Sequence, residues 1–162
     1  MTEGVDPDRA ATTRRLVGHP EPYEEFFWRS GADGRLRLLH CDGCGRFHHP
    51  PVPRCPYCYS DAVQPRPLGG GGTLVTFTVN RQPFLPGFTP PYPIGLVEVD
   101  EDPSIRLCTN LVGIGIDEIA IGLRVHVVFE PLGEDLWIPQ FAPGPAVGPP
   151  GGGAAHRRHD TM

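Results

Sequence analysis

Four cysteines carry the chemistry legible in this chain. Cys41-Asp42-Gly43-Cys44 and Cys55-Pro56-Tyr57-Cys58 are two Cys-x-x-Cys pairs separated by ten residues. Within each pair the spacing lets both sulfurs of one tight turn reach a common point, and two such turns can close a tetrahedron of thiolates around one Zn²⁺. Gly43 and Gly45 suit that turn, because glycine accepts positive φ at little cost. Four thiolates fill the shell of zinc, so the predicted metal is structural, with no open position for a substrate. Two disulfides or a redox-active Cys-x-x-Cys are competing readings of the same residues, and the doubled motif favours zinc. His48 and His49 are nitrogen donors close by. They read as ribbon surface or packing, since the cysteines already complete the shell. The fifth cysteine, Cys108, falls inside a strand pattern and reads as a small buried hydrophobe.

No catalytic set accompanies these residues. There is no Ser/His/Asp spacing, no GxGxxG and no phosphate loop. Cys108 has no neighbouring histidine in sequence and no helix N-terminus to activate it. Glu98, Asp100, Glu101 and Asp102 beside Pro103 read as an exposed turn. The chain has a net charge of −5, and all 14 basic residues are arginine. From Leu74 to Phe141 there are 3 basic residues (Arg81, Arg106, Arg124) against 9 acidic ones, the reverse of what a surface tracking a phosphate backbone needs. The cysteine segment is mildly basic, with Arg35, Arg37, Arg46, Arg54 and Arg66 against Asp42 and Asp61. It reads as a solvated face or as a seat for one small polyanion. No apolar run is long enough for a bilayer and no signal-peptide pattern is present, so a cytoplasmic protein with reduced thiols is expected.

The elements that must position the cysteines follow from pattern. Residues 1–18 are polar and aperiodic, a flexible arm. Within 19–33, prolines, then Glu24 and Glu25, then Gly31 mark a short helix. Tyr23, Phe26 and Phe27 share its face at i, i+3 and i+4, and Trp28 widens it. So short a helix needs cover for that stripe, supplied either by its own domain or by another protein. Residues 34–67 form the ribbon, with strands at Arg35–His40 and Arg46–His49. Asp61 to Gly72 reads as a linker ending in four glycines. Residues 68–142 hold five strand patterns, near 73–81, 93–99, 104–112, 123–130 and 136–141, the count and length of a five-stranded Greek-key barrel of the OB type. The loop from Gln82 to Pro93 is stiff with proline and carries Phe84, Phe88 and Tyr92, aromatics suited to a partner or to the barrel itself. Residues 143–162 read as a disordered Gly/Pro-rich tail.

The order of parts resembles the zinc-ribbon/OB-fold acyl-CoA-associated proteins, once known as a domain of unknown function. The resemblance rests on the aromatic helix, Arg35-Leu36 and the four cysteines, the strand Gly72-Thr73-Leu74-Val75-Thr76-Phe77-Thr78-Val79, the Pro-rich loop and Thr109-Asn110-Leu111-Val112-Gly113. It covers about Pro22 to Phe141. It implies a mainly β chain: N-terminal helix, rubredoxin-like zinc ribbon, then OB barrel. It further implies an accessory subunit, without activity alone, that binds and activates a thiolase-like acyl-CoA enzyme. Steroid side-chain-CoA retro-aldolases are among such partners, and hotdog-fold enoyl-CoA hydratases are the alternative. On this reading Cys41, Cys44, Cys55 and Cys58 hold Zn²⁺. Tyr23, Phe26, Phe27, Trp28, Phe84, Phe88 and Tyr92 face the partner, and Arg46, Arg54, Arg81 and Asn110 lie along the acyl-CoA path. Neither nucleic acid nor membrane is an expected partner, although a ribbon with an OB barrel can also serve single-stranded nucleic acid.

Overall fold

The computed structural model describes residues 19–84 and 89–145. A one-turn helix, α1 (Glu25–Trp28), leads into a 3₁₀ turn at Ser30–Ala32. The ribbon follows as β1 (Arg37–Cys41), β2 (Phe47–His48) and β3 (Val63–Pro67), in the order β2-β1-β3. The second sheet contains β4 (Gly71–Asn80), β5 (Tyr92–Val99), β6 (Asp102–Asn110), β7 (Arg124–Pro131) and β8 (Trp137–Pro143), in the order β6-β5-β4-β7-β8. This is the mainly β plan of helix, ribbon and five-stranded OB-like sheet expected from the sequence.

Sheet closure comes from two irregularities. A register shift between Leu74 and Thr76 bends β4, which pairs with β5 along its length and with β7 through Gly71, Gly72 and Thr73. A bulge of this kind increases local twist and lets one strand serve two neighbours. At the far side the end of β6 curls back onto β8. Leu111 forms a parallel bridge to Phe141, and the Val112 N–H donates to the Phe141 carbonyl at 2.9 Å. β5 alternates half-buried and buried residues along its whole length, placing Pro93, Gly95, Val97 and Val99 inward.

The expected linker is structure. Val63–Pro67 pairs antiparallel with β1 over five residues. Gly71 and Gly72 belong to β4 and are buried. The absence of a side chain, which suggested flexibility, is what allows close backbone approach: a Cβ on Gly72 would lie 2.6 Å from the Glu98 carbonyl oxygen.

One core runs through all three parts. Phe27 from α1, Leu36 and Leu38 from the ribbon, and Leu74, Val97, Leu107, Leu111, Val125 and Phe141 from the barrel form a single cluster. Ser30, fully buried, ties the helix to β1: its hydroxyl donates to the Phe26 carbonyl (2.9 Å) and accepts from the Arg37 N–H (3.2 Å). The aromatic stripe is thus covered largely by its own chain. Phe27 is core, Phe26 and Trp28 pack against it, and Tyr23 stays 41% exposed. Cys108 corrects its sequence reading: it is exposed, on the outward face of β6 between buried Leu107 and Thr109.

Candidate metal centre and its surroundings

The four cysteine sulfurs converge, all lying within 4.8 Å of one another. Cys41 Sγ and Cys58 Sγ are 3.5 Å apart, and Cys44 Sγ and Cys55 Sγ are 3.6 Å apart. Tetrahedral zinc with Zn–S bonds of about 2.3 Å requires sulfurs about 3.8 Å apart, so the set fits that ion. A disulfide needs about 2.05 Å, and all four are free thiols.

The two knuckles are built alike. Gly45 donates its N–H to the Cys41 carbonyl (2.8 Å), and Tyr59 donates to that of Cys55 (3.0 Å). The Cys41 N–H returns to Arg46 O (2.9 Å), and the Cys55 N–H to Ser60 O (3.0 Å). These turns aim backbone amides at sulfur. Burial pushes the Cys55 thiol up, yet the amides of Cys58 and Tyr57, with the neighbouring sulfurs, pull it down to about 6. The neighbouring Cys44 and Cys58 thiols shift upward, so the four do not ionise together by themselves, and a bound metal ion would supply the compensating positive charge. Cys41 and Cys55 are fully buried, whereas Cys44 and Cys58 are exposed.

Asp42 anchors the first knuckle to the ribbon sheet. It accepts from Arg66 Nη2 (2.8 Å), contacts His40 Nδ1 (3.1 Å) and accepts from the Gln64 side-chain amide. The Arg66 guanidinium holds its carboxyl below the usual carboxylate range, with burial opposing and the His40 and Gln64 hydrogen bonds reinforcing. On the second knuckle Tyr57 lies against His48 and under the Arg46 guanidinium. His48 is 4% exposed, a packed residue as the sequence suggested.

A cleft of about 240 Å³ opens where the three parts meet, walled by Glu24, Phe27 and Trp28, by His49, Pro50 and Pro51, and by Cys108, Ile138 and Pro139. Sequence reasoning missed it, since its walls are far apart in the chain. The His49 ring packs on Phe27 with 4.9 Å between centroids, and its Nδ1 is buried without a hydrogen-bond partner. Burial holds its pKa down to about 4.

The remaining expected site residues are dispersed. Arg46 and Arg54 sit on the knuckle segments and are exposed. Asn110 and Tyr92 lie toward one end of the β5–β6 pair, where Asn110 Nδ2 donates to Pro93 O (3.3 Å) and Asn80 Nδ2 to the Tyr92 hydroxyl (2.5 Å). Arg81 follows directly after β4 and is exposed. Phe84 is 74% exposed, and Phe88 lies outside the described residues.

Comparison with known proteins agrees with this architecture. Residues 28–64 match the ChsH2 rubredoxin-like zinc ribbon domain, and residues 65–130 match the ChsH2 C-terminal OB-fold domain. A probable enoyl-CoA hydratase alpha subunit of Thermomonospora curvata is 36% identical over 118 residues, covering 73% of this chain and 36% of that protein. The 3-oxo-4,17-pregnadiene-20-carboxyl-CoA hydratase alpha subunit of Mycobacterium tuberculosis is 33% identical over 80% of this chain and 39% of its own length. The chain therefore spans little more than a third of these two relatives. A DUF35 domain-containing scaffold protein of Pyrococcus furiosus is 31% identical over 63% of this chain and 74% of its own. Among solved structures, a chain of the Ltp2-ChsH2(DUF35) aldolase aligns with a TM-score of 0.70 at 33% identity, over 78% of this chain and 98% of that one. A DUF35 protein of Sulfolobus solfataricus shares the fold alone, at 14% identity and a TM-score of 0.55. With its ribbon, its OB-like sheet and its four converging thiolates, this chain belongs to the ChsH2/DUF35 family of zinc-ribbon/OB-fold proteins.

Proposed function

We propose that this chain is a non-catalytic accessory subunit that binds and activates a thiolase-like acyl-CoA enzyme and helps form its acyl-CoA path. The observation that carries the reading is the likeness over 98% of the ChsH2(DUF35) chain in a structure described as an aldolase. A retro-aldol cleavage of a steroid side-chain thioester is the reaction class we assign to the partner. The chemistry of the chain is consistent with a supporting role. Its metal set consists of four thiolates, a full shell for zinc, and zinc bound there supplies folding energy. Among the described residues no side-chain hydrogen bond links Cys108 to a base that would activate it as a nucleophile.

On this reading Tyr23 and Phe84, exposed and apolar, dock on the partner, with Phe26 and Trp28 supporting the surface from beneath. Arg46, Arg54, Arg81 and Asn110 line the thioester's route. Co-expression with a thiolase-like protein encoded in the same genome tests the proposal. A stable hetero-oligomer is expected, with acyl-CoA cleavage that neither subunit performs alone. A pure subunit that turns over acyl-CoA, or an enzyme equally active without it, would refute the assignment. The hydratase names of two relatives favour a second reading, an accessory subunit of a hotdog-fold enoyl-CoA hydratase. Hydration rather than cleavage by the reconstituted pair distinguishes the two.

A further inference from the structure

The cleft between helix, ribbon and barrel is walled mostly by apolar side chains, yet three polar groups line it: the Glu24 carboxylate, the His49 imidazole and the Cys108 thiol. His49 Nδ1 is buried and has no hydrogen-bond partner. No described residue forms an ion pair with Glu24, whereas its neighbour Glu25 meets Arg29 at 3.7 Å. Cys108 ends the row Thr76–Leu96–Cys108 across three paired strands, so the cleft opens onto the outer face of the sheet. On that face Leu96 is half-buried and Cys108 is exposed.

Size and chemistry narrow what fits there. The cleft measures about 240 Å³, below the roughly 300–1,000 Å³ of small-molecule sites. A dry cavity of about 150 Å³ holds one benzene ring, so this one has room for two aliphatic side chains. A buried imidazole nitrogen left unpaired is costly. A polypeptide satisfies it in either tautomer, because each peptide unit carries both a donor and an acceptor. Two aliphatic side chains on a backbone, with a cation beside them for Glu24, describe a peptide segment. A second copy of the chain is a poor source, since a stable protein interface needs about 800 Å² from each side.

The chain itself carries such a segment. Arg14-Arg15-Leu16-Val17 lies just before the described residues, which begin at His19. The first helical turn starts at Glu21, whose carbonyl accepts from the Glu24 N–H (2.8 Å) and the Glu25 N–H (3.2 Å). Val17 is four residues from Glu21, a reach of up to about 14 Å, and Glu24 stands one turn further on. The other end of the chain is worse placed. From the cleft wall at Pro139, β8 runs on to Pro143, about 14 Å away, before the described chain ends at residue 145.

We propose that residues 14–17 dock back into this cleft as an intramolecular plug. Leu16 and Val17 fill its apolar part, Arg15 pairs with Glu24, and the backbone between them gives His49 Nδ1 its partner. The plug closes the seam of helix, ribbon and barrel and shields the Cys108 thiol with the sheet face beside it. The inference is independent of the accessory-subunit reading, since it concerns contacts of the chain with itself.

Cys108 reports on the plug. Its alkylation rate with iodoacetamide, resolved by peptide mass spectrometry, is compared between the full, zinc-loaded chain and variants that keep one zinc per chain. Leu16→Asp/Val17→Asp should alkylate at least about tenfold faster than the parent, the change expected when a segment docked about nine-tenths of the time is released. Glu24→Gln and Arg15→Gln should each raise the rate about twofold, the scale of a surface ion pair, and the two together no further. Val5→Asp adds the same charge far from the plug and should leave the rate unchanged. Four results overturn the proposal. They are equal rates in the parent and Leu16→Asp/Val17→Asp, Val5→Asp accelerating as much as that pair, Glu24→Gln and Arg15→Gln effects that simply multiply, or protection that grows with protein concentration. The last would assign the cleft to a second copy of the chain.

Discussion

Gly72→Ala is the sharpest probe of how the barrel is built. Gly72 pairs with Val99 on one side and Val125 on the other, so it sits at the centre of the sheet. A Cβ there would lie 2.5 Å from Val97 Cγ1 and 2.6 Å from the Glu98 carbonyl oxygen. Ordinary carbon contacts lie at about 3.5–4.0 Å, so β4 and β5 must part locally by roughly 1 Å. Val97 is fully buried and a carbonyl oxygen in a ladder has nowhere to rotate. The cost belongs near the top of the range for overpacking, about 3 kcal/mol. For a barrel of this size that lowers the melting temperature by roughly 10–20 °C. Gly113→Ala separates sterics from backbone conformation. Gly113 has φ +67° and nothing within 4 Å of its Cβ position, so only the left-handed penalty applies, about 1 kcal/mol. Urea and thermal unfolding of both variants, with zinc content measured, decide the matter. If Gly72→Ala costs no more than Gly113→Ala, the close approach of β4 and β5 inferred here is wrong.

Three further outcomes follow from the same geometry. Cys44→Ser should abolish stoichiometric zinc binding and unfold the ribbon, read by metal analysis and by loss of tyrosine near-UV dichroism, because three thiolates hold the ion far more weakly than four. Ser30→Ala leaves the Arg37 N–H and the Phe26 carbonyl without their buried partner and should cost about 1–2 kcal/mol in denaturant unfolding. For His49 the folded pKa of about 4 lies below the ordinary 6.5, so the unfolded chain binds the extra proton first. Stability is therefore unaffected above about pH 6.5 and falls as pH drops from there toward 4. His49→Asn should flatten that limb by on the order of 2 kcal/mol at pH 4.5, and an unchanged acid profile would count against the buried imidazole.

The ribbon and barrel were legible because their signals are local. Cysteine spacing needs only a few residues to declare itself, and the alternation in β5 survives intact as half-buried and buried positions. What escaped depends on the third dimension. The run Gly69 to Gly72 looks like a hinge in one dimension, yet at Gly70 and Gly72 it is close packing in three. Val63–Pro67, with prolines at 65 and 67, reads against a strand, yet it lies at a sheet edge where a missing N–H costs little. The fate of Cys108 turned on which side of β6 faces outward, and flanking residues leave that parity open when both phases hold apolar side chains. The aromatic helix posed a choice between its own core and a partner, and burial of Phe27 answers it only for that ring.

The shared cluster has a bearing on how such a protein responds to its metal supply. Leu36 and Leu38, wholly enclosed, stand on or just before the same short strand that ends at Cys41. Helix, metal turret and barrel are thus one casting rather than beads on a string. Stripping the ion would loosen the strand's far end and with it two of the side chains that plug the barrel from outside. Metal starvation would then register in the whole subunit at once, and any enzyme that leans on it would sense the shortage through a part that never touches the ion.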